Sequence, residues 1–162
     1  MAAFRCFSVR LPMRAFMSKP ERPGFLISRL AYLFRARIES VLAENGSTLS
    51  PEESALLMVL VESEQPLRRG EFAEIMLRDK TTITRQLDGL EAKGLVRRKP
   101  DPSDARAVLI SPSPKGTRQI KKLLPHFQTL RESLQDGLTA EEWATGMKVM
   151  RQMKDNLIAI ES

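Results

Sequence analysis

A single change of hydrophobic period, from helical to extended, constrains the fold of this chain more than any other feature. Over residues 79–93 the apolar side chains recur at i, i+4 and i+7, at Ile83, Leu87 and Leu90. Beyond Gly94 the pattern becomes extended, with a strand over 95–99, a polar turn over 100–104 and a returning strand over 107–110. The sequence therefore predicts a helix followed directly by a β-hairpin.

Three further helices are predicted before this unit. Residues 25–44 carry apolar side chains at helical spacing. Ser50 and Glu53 form a capping box that begins a second helix, because each side chain can accept a hydrogen bond from an orphan N–H group. A third helix is predicted over 69–77, and Leu67 before it can supply a short strand.

Two helices are predicted after the hairpin. The first spans about 114–135, with a kink at Pro125, which has no N–H to donate. Thr139 and Glu142 form a second capping box at the start of the last helix. The inner face of that helix is predicted to consist of Trp143, Met147, Met150, Met153 and Leu157. The helices at both ends of the chain are rich in apolar residues and carry more apolar surface than a small lobe can bury. This excess favours an interface between two copies.

Two helices joined by a short turn and followed by a hairpin are typical of a winged helix-turn-helix within a mainly α fold. The outward face of the 79–93 helix carries short polar and basic side chains suited to base edges and phosphates: Lys80, Thr81, Thr82, Thr84 and Arg85. Such a helix alone is more often only a solvated face. The hairpin beside it adds Arg97, Arg98 and Arg106, and this combination favours binding to double-stranded DNA.

The net charge of +6 is weak evidence for DNA binding, because much of it lies outside the predicted domain. Residues 1–20 hold four basic side chains and no acid, and the remainder of the chain holds 22 basic against 20 acidic residues. We expect 1–20 to be a disordered basic extension. A translation start near Met13 or Met17 is an open alternative, and a transit peptide is a weaker one.

The segment TTITRQLDGLEAKGLVRRKPDPSDARAVLISPSPKG, residues 81–116, resembles the recognition helix and wing of the MarR family. Two motifs carry the resemblance: T-R-x-L-D-x-L-E-x-K-G-L-V over 84–96 and D-P-x-D-x-R over 101–106. The resemblance implies a homodimer clasped by the first helix and the last two. It also implies that Arg106 enters the minor groove, held by Asp104, and that the recognition helix binds through Lys80, Thr81, Thr82, Thr84 and Arg85.

Three positions depart from the family pattern. Ala105 stands where a first wing arginine is frequent, so one phosphate contact would be missing. Arg68 stands at the usual Ser/Thr cap of the third helix, so that cap is absent or supplied differently. Leu77 replaces a frequent turn glycine, and because a left-handed leucine is strained, we expect the turn to follow another path.

Residues 21–162 are accordingly predicted to form one MarR-like domain. Its DNA-binding lobe would span about 50–112, and its dimerisation helices about 25–44 and 114–160. No apolar run approaches the roughly 18–20 residues that span a bilayer, so no membrane partner is expected. A single cysteine, Cys6, fits a reducing cytoplasm, and with one histidine it supplies too few ligands for a Cys/His metal site.

The predicted function is a transcriptional regulator rather than an enzyme, since neither a phosphate-binding loop nor a set of convergent reactive side chains is present. We expect a repressor that binds a pseudo-palindromic operator, with no cofactor or metal. A small aromatic or anionic effector is an open possibility, near Ser28, Arg29, Tyr32 and Arg35. These arginines can equally form ion pairs in a dimer or contact phosphates. The alternative function is a winged-helix dimer that binds protein instead of DNA.

Overall fold

The structure, a computed structural model, describes residues 22–63 and 65–160. These residues form six helices and three strands. In chain order they are α1 (Pro23–Glu44), α2 (Pro51–Glu62), β1 (Leu67–Arg68), α3 (Arg69–Met76), α4 (Lys80–Ala92), β2 (Val96–Asp101), β3 (Asp104–Pro112), α5 (Pro114–Ser133) and α6 (Ala140–Ile160). The mainly α winged helix-turn-helix fold is confirmed. The extension over 1–20 and the thiol of Cys6 lie outside the described residues.

The predicted capping boxes begin their helices as expected. At α2 the Glu53 N–H donates to Ser50 Oγ at 3.1 Å, and the Ser50 N–H donates to Glu53 Oε2 at 2.8 Å. At α6 the Glu142 N–H donates to Thr139 Oγ1 at 3.2 Å, and the Thr139 N–H donates to Glu142 Oε2 at 2.8 Å. These contacts are local in sequence, which is why a single sequence predicts them well.

The strands form one antiparallel sheet in the order β1-β3-β2. Leu67 pairs with Ile110, so the short strand predicted at Leu67 is confirmed. The hairpin strands extend further than predicted: Pro100 and Asp101 belong to β2 rather than to the turn, and Pro100 pairs with Val108. Proline is tolerated there because β2 is an edge strand, on which one side of the backbone needs no partner.

The core lies among α2, α3, α4, the sheet and the first half of α5. Its largest fully buried side chains are Phe72, Leu42, Leu56, Leu57, Leu60, Ile83, Leu87, Leu90, Leu95, Ile120 and Leu123. Helix α5 begins very close to the sheet, because a Cβ built on Gly116 would lie 2.1 Å from the carbonyl oxygen of Leu95. Glycine at 116 therefore permits this approach of α5 to Leu95, the residue before β2.

The chain divides between Ala36 and Arg37 into two units, and in the first of them the described residues, 22–36, include several exposed large apolar side chains. Within the described part of that unit, Phe25 and Leu30 are each 53% exposed. In the second unit, no described residue of α6 is buried, and Leu157 is 63% exposed. Of the inner face predicted for the last helix, Trp143, Met147 and Met153 are half-buried in the single chain, whereas Met150 and Leu157 are exposed. Within residues 22–63 and 65–160, no helix has the length and apolarity needed to cross a membrane.

Candidate nucleic-acid interface

Helix α4 is anchored on one face and exposed on the other. Asp79 caps its N-terminus, accepting from the N–H of Thr82 at 2.8 Å. A hydrogen bond from the Thr82 hydroxyl, and then this one from its N–H, hold the pKa of Asp79 below its ordinary value. The buried face consists of Ile83, Leu87 and Leu90, as predicted. The helix is thus fixed to the core along its whole length.

The opposite face of α4 presents the predicted DNA-contacting side chains to solvent. Lys80, Thr81 and Arg85 are exposed, and Thr82 and Thr84 are partly exposed. Thr84 Oγ1 donates to the carbonyl of Lys80 at 2.7 Å and accepts from Arg69 Nη1 at 3.3 Å. Arg69 thereby joins this face, although sequence reasoning did not include it. The sequence offered one indication of this, because Arg69 stands at the start of the predicted third helix.

The turn between α3 and α4 is formed by a left-handed leucine. Leu77 has φ 49° and ψ 49°, so the prediction that the turn avoids this conformation is wrong. Two hydrogen bonds close the end of α3, from the N–H of Arg78 to Ala73 O at 3.0 Å and from the N–H of Leu77 to Glu74 O at 3.3 Å. This is the Schellman pattern that glycine normally serves. The two bonds and the adjacent start of α4 outweigh the steric cost of the leucine.

The wing is held to the rest of the protein by Arg68. Its Nε donates to Asp101 Oδ2 at 2.7 Å, and its Nη2 donates to Ser103 Oγ at 3.1 Å. Asp101 is buried and also accepts from the Ser103 N–H at 2.8 Å. Hydrogen bonds from Ser103 and then the guanidinium of Arg68 keep the pKa of Asp101 below its ordinary value. Arg68 thus occupies a cap position in sequence but positions the hairpin.

The cap of α3 is supplied in another way, as expected from Arg68. The N–H of Arg68 donates to the Glu71 carboxylate one turn into the helix. This is half of a capping box, and it satisfies an N–H group at the helix start. The long side chain of Arg68 is left available for the wing.

The predicted wing residues have distinct environments. Arg97 and Arg106 are exposed. Arg98 forms ion pairs with Asp88 and with Glu91 of α4, the latter at 3.3 Å, so it ties the hairpin to the helix. The carboxylate of Asp104 accepts from the backbone N–H of Arg106 at 2.9 Å, which orders the tip of the wing. The roles of all four in DNA binding stay predictions.

A concave surface of about 480 Å³ between α3, α4 and the sheet brings several of these residues together. Its basic and polar lining includes Arg69, Lys80, Thr84, Arg98 and Arg106. A second cleft, lined by Thr82 and Arg85, adds Arg78 of the turn. Arg78 is a further basic residue that the sequence analysis missed.

The C-terminal end of α4 is anchored separately from its N-terminus. Gly94 has φ 69°, and the N–H of Leu95 donates to Leu90 O at 2.9 Å, so the helix ends in a Schellman motif. Lys93 Nζ then donates to Glu53 Oε2 at 2.6 Å, connecting the end of α4 to the start of α2. Both ends of the helix are therefore held by contacts outside it.

Comparison with known proteins assigns the segment that contains α2 to α4 and most of the hairpin to a family. The model of the MarR family matches residues 49–108, the segment from the start of α2 into β3. Residues 49–108 are a MarR family domain. The winged helix-turn-helix described above is thus the fold of that family, and the resemblance read from 81–116 is confirmed.

Two curated relatives show how far the similarity to this MarR domain extends. The uncharacterized HTH-type transcriptional regulator YdgJ of Bacillus subtilis is 24% identical over 126 residues, which are 78% of this chain and 76% of that protein. The multiple antibiotic resistance protein MarR of Salmonella typhimurium is 36% identical over 76 residues, 46% of this chain and 53% of that protein. The stronger identity therefore covers about half the length of that relative.

Solved structures match over a longer part of the chain. The MepR–DNA complex of S. aureus has a TM-score of 0.79 at 20% identity and covers 85% of this chain and 99% of that one. A mutant MarR from E. coli complexed with operator DNA has a TM-score of 0.70 at 26% identity, with coverages of 80% and 91%. These matches extend beyond the MarR domain into the terminal helices.

The residues considered for an effector lie on α1. Ser28 Oγ donates to Gly24 O at 2.9 Å, the guanidinium of Arg29 lies 5.6 Å from the ring centroid of Phe25, and Tyr32 is 71% exposed. No group of three or more candidate metal ligands occurs in the part of the chain that the structure describes. An effector at these positions stays a prediction.

Proposed function

We propose that this protein is a sequence-specific DNA-binding transcriptional repressor that binds a pseudo-palindromic operator as a homodimer. The observation that carries the proposal is the arrangement of α4. Its N-terminal half presents Lys80, Thr81 and Arg85 to solvent while Ile83 and Leu87 are buried. A rigid helix with an exposed basic and polar N-terminal half is what a major groove accepts. The MarR domain match and the neighbour solved with operator DNA support the proposal.

We assign different tasks to the basic side chains. Lys80 and Arg85 would contact base edges or phosphates in the major groove, and the exposed Arg106 at the wing would enter the adjacent minor groove. Arg97 would neutralise phosphate. Arg98 would mainly position the hairpin against α4, because Asp88 and Glu91 already hold its guanidinium.

The homodimer is proposed from exposed apolar side chains on the terminal helices. Phe25 and Leu30 of α1 and Leu157 and Ile160 of α6 are more than half exposed in the single chain, and Ile160 reaches 79%. Large apolar side chains left exposed on a helix are typical of protein–protein contacts. Two copies would set their recognition helices about one helical turn of DNA apart, which predicts two half-sites with that spacing.

Repression would follow because a dimer seated on a promoter occludes it. A small aromatic or anionic effector would release the DNA by binding better to a form whose two lobes are spaced wrongly for the operator. Arg29 and Tyr32 are the side chains that we propose for an aromatic carboxylate, through charge and ring stacking.

A gel-shift titration across salt concentrations tests DNA binding, using fragments around the protein's own gene. We expect affinity to fall steeply with salt, because phosphate contacts release counterions. The Arg106→Ala variant should lose roughly 1–3 kcal/mol of binding free energy. Lys121→Ala, with the same loss of charge at an exposed position of α5, is the matched control and should bind like the wild type. Absent or salt-insensitive binding to every fragment would favour the protein-binding adaptor instead.

A further inference from the structure

A basic cleft lies at the C-terminal end of α4, opposite to the end that carries the exposed N-terminal half. It has a volume of about 420 Å³ and is bounded by the loop over 45–48, the residues after α4 and the first turns of α5. Four cationic side chains line it, Lys93, Lys115, Arg118 and Lys122. Among the described residues of the lining there is no aspartate or glutamate. We call this surface the basic cleft.

Most of these ammonium groups are held by neutral acceptors. Lys115 Nζ donates to the carbonyl of Lys93 at 2.7 Å, and Lys122 Nζ lies 3.5 Å from the carbonyl of Asn45. Lys93 is the exception, because its Nζ contacts Glu53 at 2.6 Å as well as the carbonyl of Thr48 at 3.0 Å. A carbonyl orients an ammonium group but does not neutralise it, so a positive charge remains concentrated in the cleft.

The rest of the lining combines core side chains with hydrogen-bonding groups. Leu95 and Leu123 contribute buried apolar side chains, each 1% exposed. Ser47 Oγ accepts from Gln119 Nε2 at 3.1 Å, which leaves the hydroxyl proton to donate to an oxyanion. Arg118 adds a planar fork that matches two oxygens of a phosphate. The cleft thus lines one concave surface with several hydrogen-bond donors that an anion could accept from.

We propose that the basic cleft binds a small, multiply charged oxyanion of the phosphate class. DNA phosphate is a poorer candidate for this position. Helix α4 has 13 residues, about 20 Å of helix, and the side chains proposed to contact DNA lie at its other end. The inference does not depend on DNA binding, since no residue of the cleft belongs to the proposed reading face.

Calorimetric titration of the full chain with pyrophosphate at low ionic strength tests the proposal. We expect saturable binding of one pyrophosphate per chain in the wild type. Arg118→Gln and Lys122→Gln should each weaken it at least tenfold. Lys121→Gln is the matched control, because it removes the same charge from the adjacent exposed position of α5, outside the lining. Its affinity should equal that of the wild type.

Two results would overturn the proposal. The first is equal weakening in all three variants, or non-saturable heat, which would indicate only a general effect of net charge. The second is loss of pyrophosphate binding in Arg106→Gln, or its displacement by short duplex DNA, which would place the anion on the DNA-binding face. A gel shift of Arg118→Gln separates the two proposals, because this variant should bind pyrophosphate at least tenfold more weakly while keeping its affinity for DNA.

Discussion

The substitution Gly116→Ala tests whether the close approach of α5 to the sheet is built into the fold. The new Cβ would lie 2.1 Å from the carbonyl oxygen and 3.0 Å from the carbonyl carbon of Leu95, and 3.1 Å from Leu57 Cδ1. Non-bonded carbon atoms prefer about 3.5–4.0 Å, so α5 and the backbone of Leu95 must separate by roughly 1 Å or more. The nearest atom is backbone, which cannot rotate away as a side-chain tip could.

The expected cost follows from what this separation disturbs. Overpacking a close-packed site costs about 1–3 kcal/mol. The N–H of Ser113 donates to the same Leu95 carbonyl at 2.9 Å, and Ser113 Oγ donates to Gly94 O at 2.7 Å. Weakening these bonds adds about 0.5–1.5 kcal/mol each. Alanine regains up to about 1 kcal/mol of helix propensity. We therefore expect Gly116→Ala to lower the free energy of unfolding by about 2–4 kcal/mol.

Two other helical glycines are internal controls. At Gly146 in α6 no atom lies within 4 Å of the position that a Cβ would take, so Gly146→Ala should stabilise the protein by about 0.5–1 kcal/mol. At Gly89 the Cβ would lie 2.8 Å from Glu53 Oε1, the end of a flexible side chain. The free energy of unfolding of Gly89→Ala should therefore lie between those of the other two variants. Urea unfolding followed by circular dichroism, at one fixed protein concentration, gives the order. If Gly116→Ala proved as stable as Gly146→Ala, the steric reasoning would be wrong.

Three further perturbations test single features of the fold. Asp101→Asn should destabilise the protein at pH 6, and the difference in urea midpoint between the variant and the wild type should shrink as the pH falls. The reason is that the pKa of Asp101 is lowered in the folded state. The stability that its carboxylate contributes is therefore present above the unfolded-state pKa and is lost as the pH falls through the folded-state pKa. Ser50→Ala removes half of the capping box with Glu53 and should cost about 0.5–2 kcal/mol in the same assay. Leu77→Gly should raise the free energy of unfolding by roughly 0.5–1.5 kcal/mol, because it removes the steric cost of a left-handed leucine whose side chain is 58% exposed. An unchanged or lower free energy of unfolding would show that the side-chain contacts of Leu77 stabilise the fold by more than its backbone conformation costs.

Some features of the candidate site are evident from sequence because their causes are local. The cap at Asp79, the buried face of α4 and the stop at Gly94 each depend on residues within a few positions of one another. Arg68 shows the opposite case. Its partners Asp101 and Ser103 lie more than 30 positions further along the chain, so nothing around Arg68 indicates that it holds the wing.

Leu77 shows why a correct local rule can lead to a wrong prediction. Left-handed backbone costs leucine about 1–2 kcal/mol, an amount that nearby contacts can outweigh. Here two hydrogen bonds close α3 at that residue, and the cap of α4 follows at Asp79. The sequence shows the cost but not the contacts that offset it.

Local patterns in the amino-acid sequence are enough to set the order of the helices and the hairpin, because hydrophobic period, caps and turn residues act over short distances. Which charged side chains remain exposed for a ligand, and which are bound within the protein, is settled only when the chain folds. Lys93, Arg98 and Arg106 are all cationic residues in the sequence. In the folded chain Lys93 and Arg98 each meet a carboxylate of another element, whereas Arg106 stays exposed. An ion pair depends on distance in space, and folding alone brings residues from separate elements within reach of one another.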